Sequence, residues 1–439
     1  MMQLPMLSLT MDRVRKAAER SREASYRLQS IPADAKNRAL AAIADAMKRM
    51  RREIISANEK DLRAAERRGI SKALLKRLRY DDQKLEESIA SIKALIRLED
   101  PVGKILSRTE LDKGLILEKV SSPIGVIAVI FESRPDALVQ ISSLCIKSGN
   151  AVILKGGSEA ESTNRILADM ITHAIERVDD RFKDAVQLLS TREEIGELLR
   201  LDCLVDLVIP RGSNELVRSI QASTKIPVMG HAAGVCHTYV HSDADIDMAV
   251  EICHDAKCQY PAVCNAMETL LVHKDIAADF LPKMARKLRK ANVELRGDEK
   301  TRRHIDARRA TAKDWGAEYN DLVLSIKIVS SLEEAVEHIN MHGSHHTDAI
   351  VTRNESAANK FMDMVDSSSV IWNASTRFAD GYRYGLGAEV GISTNRTHAR
   401  GPVGLEGLLI YKYRLIGKGH IVADYVGKNA KKFTHRRMR

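Results

Sequence analysis

At 439 residues, with 44% hydrophobic and 29% charged side chains, the chain has the composition of a soluble globular protein too long for one simple core, and two or three domains are expected. A formal charge of +10 admits nucleic-acid binding, but 59 acidic residues are interspersed and aromatics make up only 4%, which leaves little for base stacking. No run is apolar enough to span a membrane, and the N-terminus turns charged at Met11-Asp-Arg-Val-Arg-Lys without a signal-peptide core, so no membrane and no nucleic-acid partner is expected.

From about Met11 to Leu98 the pattern is helical: Leu40, Ile43, Ala44 and Met47 recur at helical spacing, with Lys and Arg on the other face. Ile31-Pro-Ala-Asp breaks one helix and starts the next. An alternating strand follows from Gly114 through Pro123, leading into the apolar run Gly125–Phe131, which suits a central strand of a parallel sheet. Ala137–Ser148 reads as a helix, Ala151–Lys155 as a strand, Glu159 to about Arg177 as a helix holding a packed His173, and Leu204–Ile209 as a strand. Strands alternating with helices argue for a βαβ sheet with right-handed crossovers.

Two strand ends carry glycine-bearing turns, Lys155-Gly-Gly-Ser158-Glu159 and Pro210-Arg-Gly212-Ser213-Asn-Glu. A strand end opening into a helix N-terminus is a phosphate or ribose platform, because backbone N–H groups and the helix dipole point at the ligand. Neither GxGxxG nor GxxxxGK[ST] is present, and each turn alone is compatible with a plain βα loop. Between Leu216 and Ser242, around Ile226-Pro-Val-Met-Gly-His231-Ala-Ala-Gly-Val-Cys236-His237, there is no Asp or Glu. His231 and His237 could act on protons or be packed polar residues.

Gln259-Tyr-Pro-Ala-Val-Cys264-Asn-Ala-Met-Glu-Thr-Leu-Leu-Val-His273 places a cysteine on a turn that Pro261 helps define, followed by a helix-like Asn-Ala-Met-Glu and an apolar strand run. A thiolate near a helix N-terminus has a lowered pKa and is a good nucleophile, although a lone cysteine is more often a small core hydrophobe. The six cysteines form no CxxC pair, and Cys253-His254 with Cys258 lacks a second ligand pair, so reduced thiols in a cytoplasm are expected rather than zinc or disulfides. Gly343-Ser-His345-His346-Thr-Asp348 has metal-ligand types, but adjacent side chains on a strand point to opposite faces, and no metal site is expected. Glycine-rich loops at Asn373–Gly381, Gly385–Thr394 and Arg400–Glu406 are natural substrate cradles, Leu408–Tyr413 is an alternating strand, and the tail from Lys428 is basic.

The wording around Cys264, together with Phe131-Glu-Ser-Arg134-Pro135, the Gly-His231 segment, Glu318-Tyr-Asn-Asp, the His345-His346 phrase and the glycine-rich loops, resembles the aldehyde dehydrogenase superfamily, and within it the γ-glutamyl phosphate reductase branch. The resemblance covers nearly the whole chain except the basic tail and the N-terminal helices. It implies an α/β fold of aldehyde-dehydrogenase type: a Rossmann-type NADP-binding domain over 1–238 with an arm strand near 113–122, an α/β catalytic domain over 239–400, and an oligomerisation strand and tail over 401–439. It implies NADPH-dependent reduction of L-glutamyl 5-phosphate to glutamate 5-semialdehyde through a cysteine thioester, a step of proline synthesis, by a homo-oligomer that a glutamate 5-kinase could supply.

Residue by residue, the resemblance makes Cys264 the nucleophile with Asn265 beside it, and puts Ser133 where the superfamily has an oxyanion-stabilising asparagine. It implies cofactor binding by Lys155, Ser158, Gly212, Ser213 and Glu318. Ser158, where NAD-preferring members often carry glutamate, favours NADP, although Glu159 stands next to it. Arg134, Arg377, Ser393 and Thr394 are the candidates for binding the substrate's phosphate or carboxylate. The stretch without carboxylates around His231 is where hydrolytic members hold the glutamate that activates water, so its absence suits transfer to phosphate.

Overall fold

The computed structural model describes residues 3–191, 193–231 and 233–438, with side chains described from residue 11 onward except at 72 and 73. The N-terminal region is five helices: α1 (Gln3–Leu28), α2 (Ala33–Arg49), α3 (Arg51–Arg67), α4 (Lys72–Leu78) and α5 (Asp82–Arg97). Pro32 sits in extended backbone just before α2, while Leu40, Ile43, Ala44 and Met47 are buried along one face. That face joins the core of the first sheet.

Two strands, β1 (Ile105–Asp112) and β2 (Leu115–Pro123), precede the first parallel sheet. The sheet itself is built from β3 (Val126–Phe131), α6 (Pro135–Ser148), β4 (Ala151–Lys155), α7 (Glu161–Glu176), β5 (Val186–Leu189), α8 (Glu193–Leu198) and β6 (Leu207–Arg211), followed by α9 (Asn214–Ser223). Strand order is β5-β4-β3-β6, all parallel, so the chain winds outward from β3 in both directions. Crevices form at such reversals, outside the carboxyl ends of the strands. The loops there are those following Phe131, Lys155 and Arg211. His173 does not pack inward; it lies exposed on α7 with Nδ1 2.6 Å from the Asp169 carbonyl.

A second parallel sheet of seven strands has the order β10-β9-β11-β8-β7-β12-β13. Its elements are β7 (Cys236–Val240), α10 (Ile246–Cys258), β8 (Met267–His273), α11 (Ala277–Lys290), β9 (Glu294–Gly297), β10 (Arg308–Arg309), β11 (Val323–Val329), α12 (Leu332–His342), β12 (Thr347–Val351), α13 (Glu355–Met364) and β13 (Ser369–Trp372). The segment after β13 returns to the first unit, where Ala388, Val390, Val403, Leu405 and Leu408 enter its core around the short pair β14 (Ile392–Ser393) and β15 (Gly401–Pro402).

The arm adds two strands, β1 and β17, to those expected near 113–122 and at Leu408–Tyr413. β2 is flanked by β1 and by β16 (Leu409–Ile416), and β17 (Arg436–Met438), from the basic tail, pairs with the far side of β1. The tail's charge is partly used internally: Arg436 pairs with Glu110 and Lys431 with Asp424. No described helix is long and apolar enough to cross a membrane, and the six cysteines are all free.

Inside the second unit His338 is nearly sealed from solvent between His237, His342 and Trp315, with ring centroids 4.6–5.6 Å away. Lys327 donates to its Nδ1 at 3.1 Å. Burial, helped by the charges of His237, Lys327 and His342, pushes its pKa down to about 2. A histidine held neutral in the fold but free to protonate when unfolded costs stability below the unfolded pKa of about 6.5, and the loss continues as pH falls towards the folded value. The melting temperature is therefore expected to drop on acidification below about pH 6.5 less steeply in His338→Gln than in the parent chain.

Candidate active site

The C-terminal edge of the first sheet faces the N-terminal edge of the second across a cleft of about 1120 Å³. Ser133 and Arg134 reach it from the loop after β3, Lys155 and Ser158 from the loop after β4, and Gly212 and Ser213 from the loop after β6. Cys264, Asn265, Glu318 and Arg377 reach it from the second unit, so ten of the twelve candidates meet in one place. Ser393 and Thr394 do not line the cleft: Ser393 is fully buried and the Thr394 amide donates to the Gly230 carbonyl, while their neighbours Gly391 and Ile392 face the cavity.

Cys264 stands on a turn between the end of α10 and the start of β8, and no helix follows it. Met267 and Glu268 are already strand, because Thr269-Leu-Leu-Val continues straight into a central position of the sheet between β7 and β11. The thiol is therefore tuned by side chains rather than by a helix N-terminus. One donor atom each from His231, Cys264 and His346 lies within 4.8 Å of the others. Burial alone would push the Cys264 thiol up, but His346 and His231 beside it outweigh that and hold the pKa well below the ordinary thiol value. For His231, burial lowers the pKa while the Cys264 charge, its hydrogen bond and the Ile392 carbonyl raise it, and the net direction is up. Its Nδ1 donates to the Ile392 carbonyl at 2.9 Å, which fixes the ring.

The three groups converge because they precede three adjacent strands. His231 lies before β7, Cys264 before β8 and His346 before β12, and these strands stand in the order β8-β7-β12. The fit is close: a Cβ on Gly234 would collide with the carbonyl and Cα of Cys264, so glycine is required where the lead-in to β7 crosses the nucleophile turn. The Cys236 thiol donates to the Cys264 carbonyl at 3.1 Å and pins the turn from below.

Around the sulfur, Asn265 is buried and uses its amide to donate to the Ala379 carbonyl at 2.9 Å. Ser133 has φ 47°, a left-handed backbone rare for serine, and both its amide and hydroxyl donate to Glu159 Oε1, at 2.6 and 2.8 Å. Its hydroxyl is therefore committed to Glu159 rather than aimed at Cys264. Arg377 Nε donates to Gln259 at 3.0 Å. Arg211, read in the sequence only as part of a turn, lines the same cleft; burial and the Arg134 charge lower its pKa, while Glu389 and Cys264 work the other way. Glu389 enters from the returning loop, its carboxyl raised by burial and held by the Gly381 amide at 2.8 Å. His346 and Arg211 are the functional candidates that sequence reasoning missed.

The glycine turns of the first sheet are closely packed as well. Gly156 and Gly212 leave no room for a Cβ against Asn164 and Glu132 respectively. The Ser213 amide, at the N-terminus of α9, donates to the Glu132 carboxylate at 3.0 Å, so this amide already serves an anion. Lys155 is nearly buried and donates to the Gly156 carbonyl, and Asn214 donates to Glu318 at 2.9 Å across the cleft. The nicotinamide cofactor that the family uses would be held by residues of these turns, with the Ser213 amide available to a phosphate only in place of Glu132. As the two imidazoles depress the thiol pKa, alkylation of Cys264 by iodoacetamide is expected to stay fast down to about pH 7 and below. In His346→Ala the rise in rate should move to higher pH; an unshifted profile would remove His346 from this role.

The sequence model of the aldehyde dehydrogenase family matches residues 6–310. γ-Glutamyl phosphate reductase of Pelotomaculum thermopropionicum is 58% identical over 421 residues, covering 96% of both chains. The Methanosarcina mazei protein of the same name is 57% identical over 429 residues, 95% of this chain and 96% of that one. Among solved structures, γ-glutamyl phosphate reductase of Thermotoga maritima superposes with a TM-score of 0.90 at 40% identity, over 93% of this chain and 99% of that one. A glyceraldehyde-3-phosphate dehydrogenase from Methanocaldococcus jannaschii, solved with NADP, shares the fold at a TM-score of 0.65 and 16% identity, over 93% of this chain and 95% of that one. Sequence, fold and the nucleophile turn agree: the chain belongs to the aldehyde dehydrogenase superfamily and, within it, to the γ-glutamyl phosphate reductase family.

Proposed function

We propose that this enzyme reduces L-glutamyl 5-phosphate to L-glutamate 5-semialdehyde and inorganic phosphate with NADPH, the reductive step towards proline, in a reduced cytoplasm. The observation that carries the reading is a thiol grouped with two imidazoles that hold its pKa down, facing a cleft lined by Arg134, Arg211, Arg377 and the glycine turns of the first sheet. Cys264 thiolate attacks the acyl carbon, the bond to the phosphate oxygen breaks, and phosphate leaves towards Arg134, Arg211 and Arg377. Asn265 keeps one amide hydrogen on Ala379 and has a second for the oxyanion, alongside the Cys264 main-chain N–H. Ser133 joins them once it releases Glu159.

NADPH, when bound, supplies the hydride that converts the thioester carbon to the aldehyde level. Lys155, Ser158, Gly212, Ser213 and Glu318 would hold it. One proton is consumed overall, and the imidazole pair beside Cys264 is placed to provide it as the thiolate is regenerated. Ser158 supports NADPH over NADH, while the neighbouring Glu159 carboxylate, whose Oε1 accepts from the Ser133 amide and hydroxyl, works the other way. A hydrolytic reading needs a free base near the sulfur; Glu389 is the carboxylate at hand, but it is tied to the Gly381 amide and faces Arg211. The lability of an acyl phosphate makes direct hand-over from a glutamate 5-kinase reasonable. The exposed β16 edge, with Tyr413 and Leu415 about 60% accessible, is where a second copy would pair.

The test is the reverse reaction. With glutamate semialdehyde and NADP, NADPH formation should require phosphate in the parent chain and vanish in Cys264→Ser; turnover without phosphate would make the enzyme hydrolytic. Arg211→Gln should raise the KM for phosphate by about tenfold or more, as expected for losing a charge-assisted contact. Ser158→Glu should shift preference from NADPH towards NADH. Tyr413→Asp with Leu415→Asp should lower the assembly size measured by sedimentation.

A further inference from the structure

We propose that His231, Cys264 and His346 form a zinc-binding site through which Zn²⁺ reversibly shuts off the nucleophile. The proposal deepens the reading of this site, and rests on it only for the inhibitory consequence. A thiolate and two imidazoles have donor atoms within 4.8 Å of one another. In a tetrahedral zinc site, with metal–ligand bonds of about 2.0–2.3 Å, donors stand about 3.5 Å apart, so closing the triad onto a metal takes a contraction of about an ångström.

The donor set is right for zinc and poor for calcium or magnesium, which take oxygen ligands. His231 is oriented from behind by the Ile392 carbonyl, the arrangement that aims a ligating imidazole and raises its basicity. His346 keeps Nδ1 2.9 Å from the Thr347 hydroxyl, while its Nε2 is buried with no hydrogen-bond partner among the described residues. An unpartnered buried ring nitrogen beside a thiolate is the independent sign of a ligand position. Cys264 and His231 line the cleft, which gives a metal its way in and leaves a fourth coordination position for water.

Coordination would use the sulfur lone pair that attacks the acyl carbon and would release the proton shared by the triad, so metal-loaded protein cannot form the thioester. Arg211 and Arg377 oppose a dication and Glu389 and Asp380 favour it, so the binding is reversible rather than structural.

The experiment titrates the full chain with Co²⁺ as a coloured stand-in for zinc. Expected are a thiolate-to-cobalt charge-transfer band and tetrahedral visible bands at one metal per chain, bleached by Zn²⁺ and removed by a chelator. The band should be absent in Cys264→Ser, unaffected in Cys203→Ser, and require at least about tenfold more metal in His346→Gln. His231→Gln, at the cleft surface, should show the same weakening and stands in if His346→Gln does not fold. Zn²⁺ should slow iodoacetamide alkylation of Cys264 at least about tenfold. No charge-transfer band, a band that survives Cys264→Ser, or unchanged affinity in both histidine variants would overturn the proposal. Because the readout is absorbance of the resting protein, a failure of the phosphate-dependent assay leaves this result intact, and a missing band leaves the reductase reading intact.

Discussion

Keeping a sulfur ionised where burial disfavours charge is the constraint on which the rest of this structure depends. Each pKa unit corresponds to about 1.4 kcal/mol between protonation states, and partial burial works against the thiolate. Two nearby imidazoles reverse that sign at Cys264. Neither would hold its place alone. The Ile392 carbonyl fixes His231, the Thr347 hydroxyl and Cys236 thiol flank His346, and Gly234 lets the β7 lead-in cross the nucleophile turn at backbone contact. A methyl group at that glycine would separate the charge from its partners.

The second requirement is that two parallel sheets present opposite edges to one cleft. The first offers strand ends and helix N-termini, a setting that suits anions; the second offers strand beginnings, which carry Cys264 and its two histidines. Glu318 and Asn214 bridge the two, and the returning segment around Ala388–Leu408 threads back into the first core. The candidate residues are thus brought together by sheet geometry rather than by one continuous motif.

What was legible in the sequence follows from how local each signal is. The β3 run of Val and Ile, the helices flanking it and the turns after Lys155 and Arg211 rest on period and turn chemistry within a few residues, and they lie where that chemistry places them. Cys264 stood out by its wording. His346 did not, because its meaning depends on β12 packing beside β7, a neighbour relation across more than a hundred residues of chain. Judged as a strand residue it points away from its neighbour, but the strand begins only at Thr347, and His345 has φ 59°, so the alternation argument does not apply there. Arg211 was hidden inside a turn valued for its glycine. The helix assigned after Cys264 gave way because a central strand overrides the weak propensity of Asn-Ala-Met-Glu.

The arm carries a consequence for how copies of the chain add to one another. β17 pairs with Arg108–Glu110 of β1 from within the same chain, while β16 has no strand on its outer side among the described residues. A bare sheet edge is a template for another strand, and a segment that covers part of one edge narrows where such a strand can add. Among the described residues, β16 is thus the strand of this arm left open along its whole length.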